Sequence, residues 1–177
     1  GVATMTVKVL ILEDNPVARA FLCRVVRHSC SDVIAITEAG DLEGARKQIA
    51  LAGGSSGLHG VDPFKLILVD LELPDGNGMD LLAELVHYPA TKIVTTLYSD
   101  DDHLFPALQA GACGYILKEQ PRELIIEQLT RMSQGEPPLS PSIARRVMKY
   151  FASQAKQQRE PDLMPHVQLT ERESEVL

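Results

Sequence analysis

FKLILVDLELPDGNGMDLL, residues 64–82, joins an apolar run at 66–69 to a carboxylate at Asp70, then a Pro74-Asp75-Gly76 turn and an amphipathic helical segment. A continuous apolar run with β-branched members marks a strand covered on both faces, as in a parallel sheet. Asp70 therefore falls at a strand's carboxyl end, and ligand crevices of open α/β sheets lie outside those ends at a topological switch point. A lone aspartate there equally well starts a turn or caps a helix. Other strand ends give it a chemical reading.

Toward the N-terminus, VKVLIL at 7–12 is a first buried strand, followed at once by Glu13, Asp14, Asn15 and Pro16. Proline just inside a helix start, after an Asp or Asn cap, opens a helix over about 16–28. A second strand at 33–37 and a helix from Asp41 to about Ala50 follow. The Gly- and Ser-rich stretch 52–63 reads as a flexible surface loop, because no GK[ST] sequence or helix follows to make it a phosphate cradle. Beyond the helix at about 78–86 come a fourth strand at 92–97 and a fourth helix to about Ala110. Pro106 lacks an amide hydrogen and suits only a first turn, so that helix is expected to start late or to be loose at its N-terminus. A fifth strand at 113–117 ends at Lys118, and Pro121 opens a fifth helix running toward Gly135. Such alternation with right-handed crossovers yields a doubly wound five-stranded parallel sheet covered by helices on both sides.

After GEPPLSP the pattern changes. Ile143, Val147 and Phe151 form an apolar stripe on an amphipathic helix over about 141–155, opposite Arg145, Arg146 and Lys149. Residues 156–167 are polar and hold two prolines, as linkers do. The last nine residues, LTERESEVL, begin a helix in which Thr170 and Glu173 complete a capping box. The organisation expected is a main domain over 6–135, a linker over 136–168 and the start of a further helical domain over 169–177.

The chain of 177 residues is 45% hydrophobic and 23% charged, the mix of a globular domain with an appendage. No apolar run reaches the roughly 18 residues of a membrane span and no leader is visible, so a cytoplasmic protein without membrane contact is expected. The three cysteines lack CxxC spacing and are read as reduced, buried small residues. Residues 1–140 carry 11 basic and 19 acidic side chains, a balance of −8. That surface repels nucleic acid, since phosphate binding depends on Lys and Arg displacing counterions.

Four strand ends then point into one crevice: Glu13 and Asp14, Asp70, Thr95 or Thr96, and Lys118. Two carboxylates about 4 Å apart repel by about 4 kcal/mol at an effective dielectric of about 20, so three need a compensating cation. Oxygen-only ligands suit Mg²⁺, which bridges readily to a phosphoryl oxygen. Asp70 then serves as nucleophile and forms an acyl phosphate, while the metal, Lys118 and a threonine hydroxyl hold the phosphoryl oxygens. Hydroxyl and lysine are expected to reach in only once the phosphoryl group is present, which makes a switch. Strand alternation lets one of the two threonines face the crevice, and the 22-residue step to Lys118 favours Thr96.

With these residues in place, DLELPDGNGMDLL and GACGYILKE at their separation resemble the receiver domain of two-component response regulators over about residues 6–135. The resemblance implies the flavodoxin-like strand order 2-1-3-4-5. It makes Asp70 the phosphorylation site, Glu13, Asp14, Asp70 and the backbone carbonyl of Glu72 the ligands of Mg²⁺ or Mn²⁺, Thr96 and Lys118 the phosphoryl-binding pair, and Tyr115 the switch aromatic. It further implies a sensor histidine kinase as donor, homodimerisation on phosphorylation, and self-phosphotransfer with slow autodephosphorylation in place of enzymatic turnover. The tail is similar to the NarL/FixJ class, in which a segment like LTERESEVL opens a LuxR-type helix-turn-helix. A recognition helix would lie beyond Leu177, so DNA contact is expected only through that further domain.

Some positions depart from the family pattern. Leu97 is large where a small residue is frequent and narrows donor access, and Glu119 stands where many receivers have proline. A cis bond before a non-proline residue costs about 2.5–4 kcal/mol. The alternatives are a receiver acting as phosphoryl relay or protein-binding module, and an Asp-nucleophile phosphatase of the haloacid dehalogenase type. The latter carries DxDx[TV] after its first strand, whereas Asp70 follows the third and position 72 is Glu.

Overall fold

The computed structural model describes residues 6–30, 33–53, 62–132 and 134–172, with the side chains of 33 and 158–172 left out. Its elements are β1 (Thr6–Leu12), α1 (Pro16–Ser29), β2 (Val33–Ala39), α2 (Leu42–Leu51), β3 (Leu66–Asp70), β4 (Glu72–Leu73), β5 (Gly76–Asn77), α3 (Gly78–Glu84), β6 (Thr91–Thr96), α4 (Asp101–Gln109), β7 (Gly114–Leu117), α5 (Arg122–Met132) and α6 (Pro141–Arg172). Two compact units result, 1–140 and 141–177.

In the first unit five parallel strands run in the order β2-β1-β3-β6-β7, which is the expected 2-1-3-4-5 once the small β4-β5 pair is set aside. Every residue of β3 is buried, because this central strand is covered on both faces. One face packs Val9, Ile11, Leu68, Ile93 and Ile116 against Leu22, Val25 and Val26 of α1 and Ile125 and Leu129 of α5. Fully burying a side chain of this size stabilises by about 1.5–3 kcal/mol.

Local chemistry sets where helices begin. Asn15 accepts from the amides of Val17 at 2.9 Å and Ala18 at 3.0 Å, with Pro16 in the first turn of α1. Asn77 does the same for Met79 of α3 at 2.8 Å. Gly78 has no alternative, since a Cβ there would stand 2.2 Å from the Asp70 carbonyl oxygen.

The β4-β5 hairpin was not foreseen. It folds the Pro74-Asp75 turn back so that Glu72 pairs with Asn77 and Leu73 with Gly76, whose φ of +151° favours glycine. The Asp75 carboxylate then accepts from the amides of Leu42 at 2.8 Å and Glu43 at 3.0 Å, while Asp41 accepts from Gly44 at 2.7 Å. Two aspartates thus satisfy three of the four open amides at the N-terminus of α2. Those two amide bonds hold the Asp75 carboxyl below its ordinary range.

Helix α4 corrects the expectation of a late start. It begins at Asp101 and carries Pro106 inside. The Asp100 carbonyl accepts from the amides of His103 and Leu104, and the buried Leu104 and Ala107 anchor the helix on either side of the proline. Pro106 still removes one amide donor from α4. The cysteines differ from expectation in burial: Cys23 and Cys30 are half-buried and Cys113 is exposed. Cys113 lies just outside β7, and Cys30 caps α1 rather than entering the core.

The second unit holds α6, whose helical backbone contains the expected 141–155 and continues to Arg172. Pro161 and Pro165, expected in a linker, lie in that helical stretch. Thr170, expected to cap a new helix, lies inside α6 instead, while Glu173 and residues 54–61 of the expected surface loop lie outside the described residues. No helix among the described residues is long and apolar enough to cross a membrane.

Candidate functional site

The carboxyl ends of β1, β3, β6 and β7 surround an open cleft of about 700 Å³ lined by Glu13, Asp14, Asp70, Glu72, Thr96 and Lys118, with Val17 and Leu97 at its rim. Parallel strands bring these residues together because each chain leaves the sheet at the same edge.

Glu13 follows β1 and is 1% exposed. Its amide donates to the Ala39 carbonyl at 3.0 Å, and its carboxylate accepts from the Asn15 amide at 3.1 Å. Arg19 donates to the Glu13 carbonyl at 2.7 Å and to Glu38 at 3.1 Å, which clamps the acidic corner onto β2. Asp14 is exposed and Asp70, the last residue of β3, is buried. Carboxylate oxygens of Glu13, Asp14 and Asp70 all lie within 4.8 Å of one another.

Lys118 enters from β7, its amide bonded to the Thr96 carbonyl at 2.8 Å. Its ammonium stands 2.5 Å from Glu13 and 3.2 Å from Asp70. This overturns the expectation that the lysine reaches in only for a phosphoryl group: two buried carboxylates attract it already. The peptide joining it to Glu119 is trans, and Lys118 still reaches both acids.

Burial pushes the Asp70 carboxyl up to about 7, with the Glu13 charge adding to the rise and Lys118 opposing it. Desolvation pulls Lys118 downward, but hydrogen bonding to Glu13 and the charges of Asp70 and Glu13 outweigh it, and the net direction is up. Three carboxylates against one ammonium leave an excess of negative charge, with oxygen donors only. That donor set fits a hard divalent cation.

Strand alternation separates the two threonines. Thr96 lines the cleft and its hydroxyl accepts from the Tyr98 amide at 3.1 Å, whereas Thr95 faces α1 and α5. Tyr115 is buried and its hydroxyl donates to the Tyr98 carbonyl at 2.8 Å. Tyr98 was not singled out as a site residue, yet it joins several parts of the rim. Its hydroxyl donates to the Glu72 carboxylate, and its ring stacks on His103 with centroids 4.4 Å apart and planes at 12°. His103 in turn bonds the Asp100 carboxylate at 2.8 Å. The hydroxyl-rich end of the fourth strand was the available signal; the pairing with Glu72 depends on the hairpin. Leu97 stands 57% exposed at the cleft rim, where its side chain borders the approach to Asp70.

A doubly wound sheet with acids and a lysine gathered at its strand ends defines a class: α/β modules that can hold a cation and a phosphoryl group together. Residues 9–130 match the family model described as the response regulator receiver domain, and the chain belongs to that family. It is 33% identical over 175 residues to the Bacillus subtilis transcriptional regulatory protein YhcZ, covering 96% of this chain and 73% of that one. Identity to the transcriptional regulatory protein LiaR of the same organism is 29% over 174 residues, covering 97% and 74%. Among solved structures, a Burkholderia pseudomallei response regulator with a phosphorylated aspartic acid, calcium ion and citrate is 28% identical with a TM-score of 0.55, covering 72% of this chain and 69% of that one. The receiver domain of the Mycobacterium tuberculosis response regulator NarL, at 22% identity and a TM-score of 0.58 over 74% of this chain and 98% of that one, shares the fold.

Proposed function

We propose that this chain accepts a phosphoryl group on Asp70 from a sensor histidine kinase and passes the change to a C-terminal output that regulates transcription. The observation that carries the reading is the meeting of buried Asp70 with Glu13, Asp14 and Lys118 at one edge of the sheet. In the transfer, a carboxylate oxygen of Asp70 attacks phosphorus, the P–N bond of the donor phosphohistidine breaks, and the imidazole keeps the electron pair. The product is an acyl phosphate on Asp70.

Glu13, Asp14, Asp70 and the Glu72 carbonyl would hold Mg²⁺ or Mn²⁺. Bound there, the cation supplies charge compensation to the acids and to the incoming phosphoryl oxygens. The chain's own residues do the rest. Lys118, paired with Glu13 and Asp70 in this structure, turns one ammonium hydrogen to a phosphoryl oxygen. Thr96 gives up the Tyr98 amide and donates its hydroxyl to the same group. Releasing that amide frees the segment 97–100 to shift, and Tyr115, which grips the Tyr98 carbonyl, carries the shift toward α4.

The relatives named as transcriptional regulatory proteins and the acidic charge of residues 1–140 support an output through DNA made by the further domain that 169–177 begins. A receiver over 6–135, a linker over 136–168, cytoplasmic location and phosphorylation-dependent homodimers complete the reading. The chain carries out self-phosphotransfer and slow self-dephosphorylation, with no turnover of a separate substrate.

Intact-mass measurement after incubation with acetyl phosphate tests the reading. One added phosphoryl group is expected with Mg²⁺, none without it, and none in Asp70→Asn. Modification that persists in the variant would move the acceptor elsewhere.

A further inference from the structure

β7 ends the sheet, and an edge strand leaves a row of backbone groups without a strand partner. The segment 137–140, in the same compact unit, supplies partners. The Tyr115 amide donates to the Pro138 carbonyl at 3.0 Å, the Ser140 amide donates to the Tyr115 carbonyl at 3.3 Å, and Leu139 lies opposite Tyr115 in a parallel bridge. Gly114 permits this approach, since a Cβ there would stand 2.5 Å from the Pro138 ring. Two residues further along β7 a side chain takes over. The Leu117 amide donates to the Ser140 hydroxyl oxygen at 3.2 Å, and Ser140 is 2% exposed.

The other side of Leu117 is held as firmly. Its carbonyl accepts from the Gln120 side-chain amide at 2.7 Å, and Gln120 accepts in turn from the buried Gln128 at 3.1 Å. That carbonyl belongs to the peptide that leads into Lys118, whose own amide donates to Thr96.

We propose that Ser140 and Gln120 are positioning residues for Lys118, acting through the Leu117 backbone that they hold between them. A lysine stem is flexible, so its ammonium meets Glu13 and Asp70 reliably only when the backbone it springs from is fixed. Misplacing a reacting group by about 1 Å can cost about a hundredfold in rate. Ser140 is also the last residue before α6, so a displacement of the chain at that point reaches Lys118 through one hydrogen bond. The consequence for phosphoryl transfer rests on the Asp70 reading above; the placement of Lys118 does not.

Amide exchange and lysine ¹⁵N NMR on the full chain test the assignment. In Ser140→Ala the Leu117 amide should exchange about three- to tenfold faster, the worth of one hydrogen bond. The Tyr115 amide, bonded to Pro138, should stay protected and so report that the segment 137–140 remains docked. The Lys118 ammonium signal, identified by its absence in Lys118→Met, should shift or broaden in Ser140→Ala and return in Ser140→Thr, which keeps the hydroxyl. Gln120→Met frees the Leu117 carbonyl and should disturb the same signal, which keeps the test decisive should a Ser140 variant fail to fold. Phosphorylation of Asp70 by acetyl phosphate should slow by about three- to tenfold in Ser140→Ala. A Lys118 signal that stays put in these variants, or a Leu117 amide that exchanges no faster in Ser140→Ala, overturns the proposal. So does a joint loss of Tyr115 protection, which would make Ser140 a docking residue for the segment alone. If the wild type takes up no phosphoryl group, the Asp70 reading falls and the Lys118 signal still decides the positioning role. If the wild type reacts and Ser140→Ala reacts equally fast, the positioning role falls and Asp70 stands.

Discussion

The Lys118 ammonium lies 2.5 Å from Glu13, a residue 1% exposed, and so competes for the same carboxylates that would hold a cation. Removing one partner of a buried pair leaves the other charge uncompensated, which costs up to about 3 kcal/mol where one partner is partly solvated. Lys118→Met keeps the apolar stem and should lower stability in chelator. The same variant should bind Mg²⁺ more tightly than wild type, because no ammonium has to be displaced. Calorimetric titration checks the second half, and weaker metal binding in Lys118→Met would contradict the competition.

Cation binding should also be visible in stability. Saturating Mg²⁺ raises the unfolding temperature of the wild type, by the equivalent of about 2.7 kcal/mol at a hundredfold excess over Kd. Asp14→Asn and Asp70→Asn should lose most of that rise. The Asp70 carboxyl sits at about 7 without a cation, so below that pH a proton must leave before metal binds. Affinity should therefore climb from pH 6 to pH 8. For a carboxyl raised on folding, the cation-free protein loses stability as pH rises from the ordinary range of about 4 toward 7.

Asp75 has the opposite sign. Its carboxyl is held down by the Leu42 and Glu43 amides, so its contribution is present above the ordinary range and disappears as pH falls through the lowered value. Asp75→Asn should unfold at a lower temperature at pH 7. The gap from wild type should close on acidification, and a pH-independent gap would mean that Asp75 acts through packing alone.

Tyr98 and Glu72 close one side of the cleft rim through their hydrogen bond. Tyr98→Ala opens that side and should speed modification of Asp70 by acetyl phosphate several-fold, with Tyr98→Phe in between. Equal rates in all three proteins would show that Leu97 and Val17 alone limit access.

Gly78 allows no side chain. A Cβ 2.2 Å from the Asp70 carbonyl forces the backbone apart, so Gly78→Ala should cost roughly 1–3 kcal/mol and displace Asp70. Denaturant unfolding measures the loss.

Residues that act through period and strand ends were legible in the sequence. Asp70 and Lys118 follow apolar runs, parallel strands align those ends, and the step from Thr96 to Lys118 separated Thr96 from Thr95. What escaped depends on chain segments folding back. The Pro74-Asp75-Gly76 turn marked a reversal without giving the pairing of Glu72 with Asn77, and the Asp75 cap on α2 has no local signal, because residues 42 and 75 meet only in three dimensions. Pro106 misled for a related reason: a propensity rule set the start of α4, while the burial of Leu104 and Ala107 overrode it. Likewise the reserve expected of Lys118 ignored the pull of two desolvated acids.

Tyr98 holds Thr96 by its amide, Tyr115 by its carbonyl, Glu72 by its hydroxyl and His103 by its ring. The chain contains four tyrosines and no tryptophan. A phenol bonded to a carboxylate emits weakly, and no indole is present to mask it. Departure of Glu72 from that hydroxyl would brighten the native ultraviolet emission, giving the protein a built-in optical reporter that needs no dye.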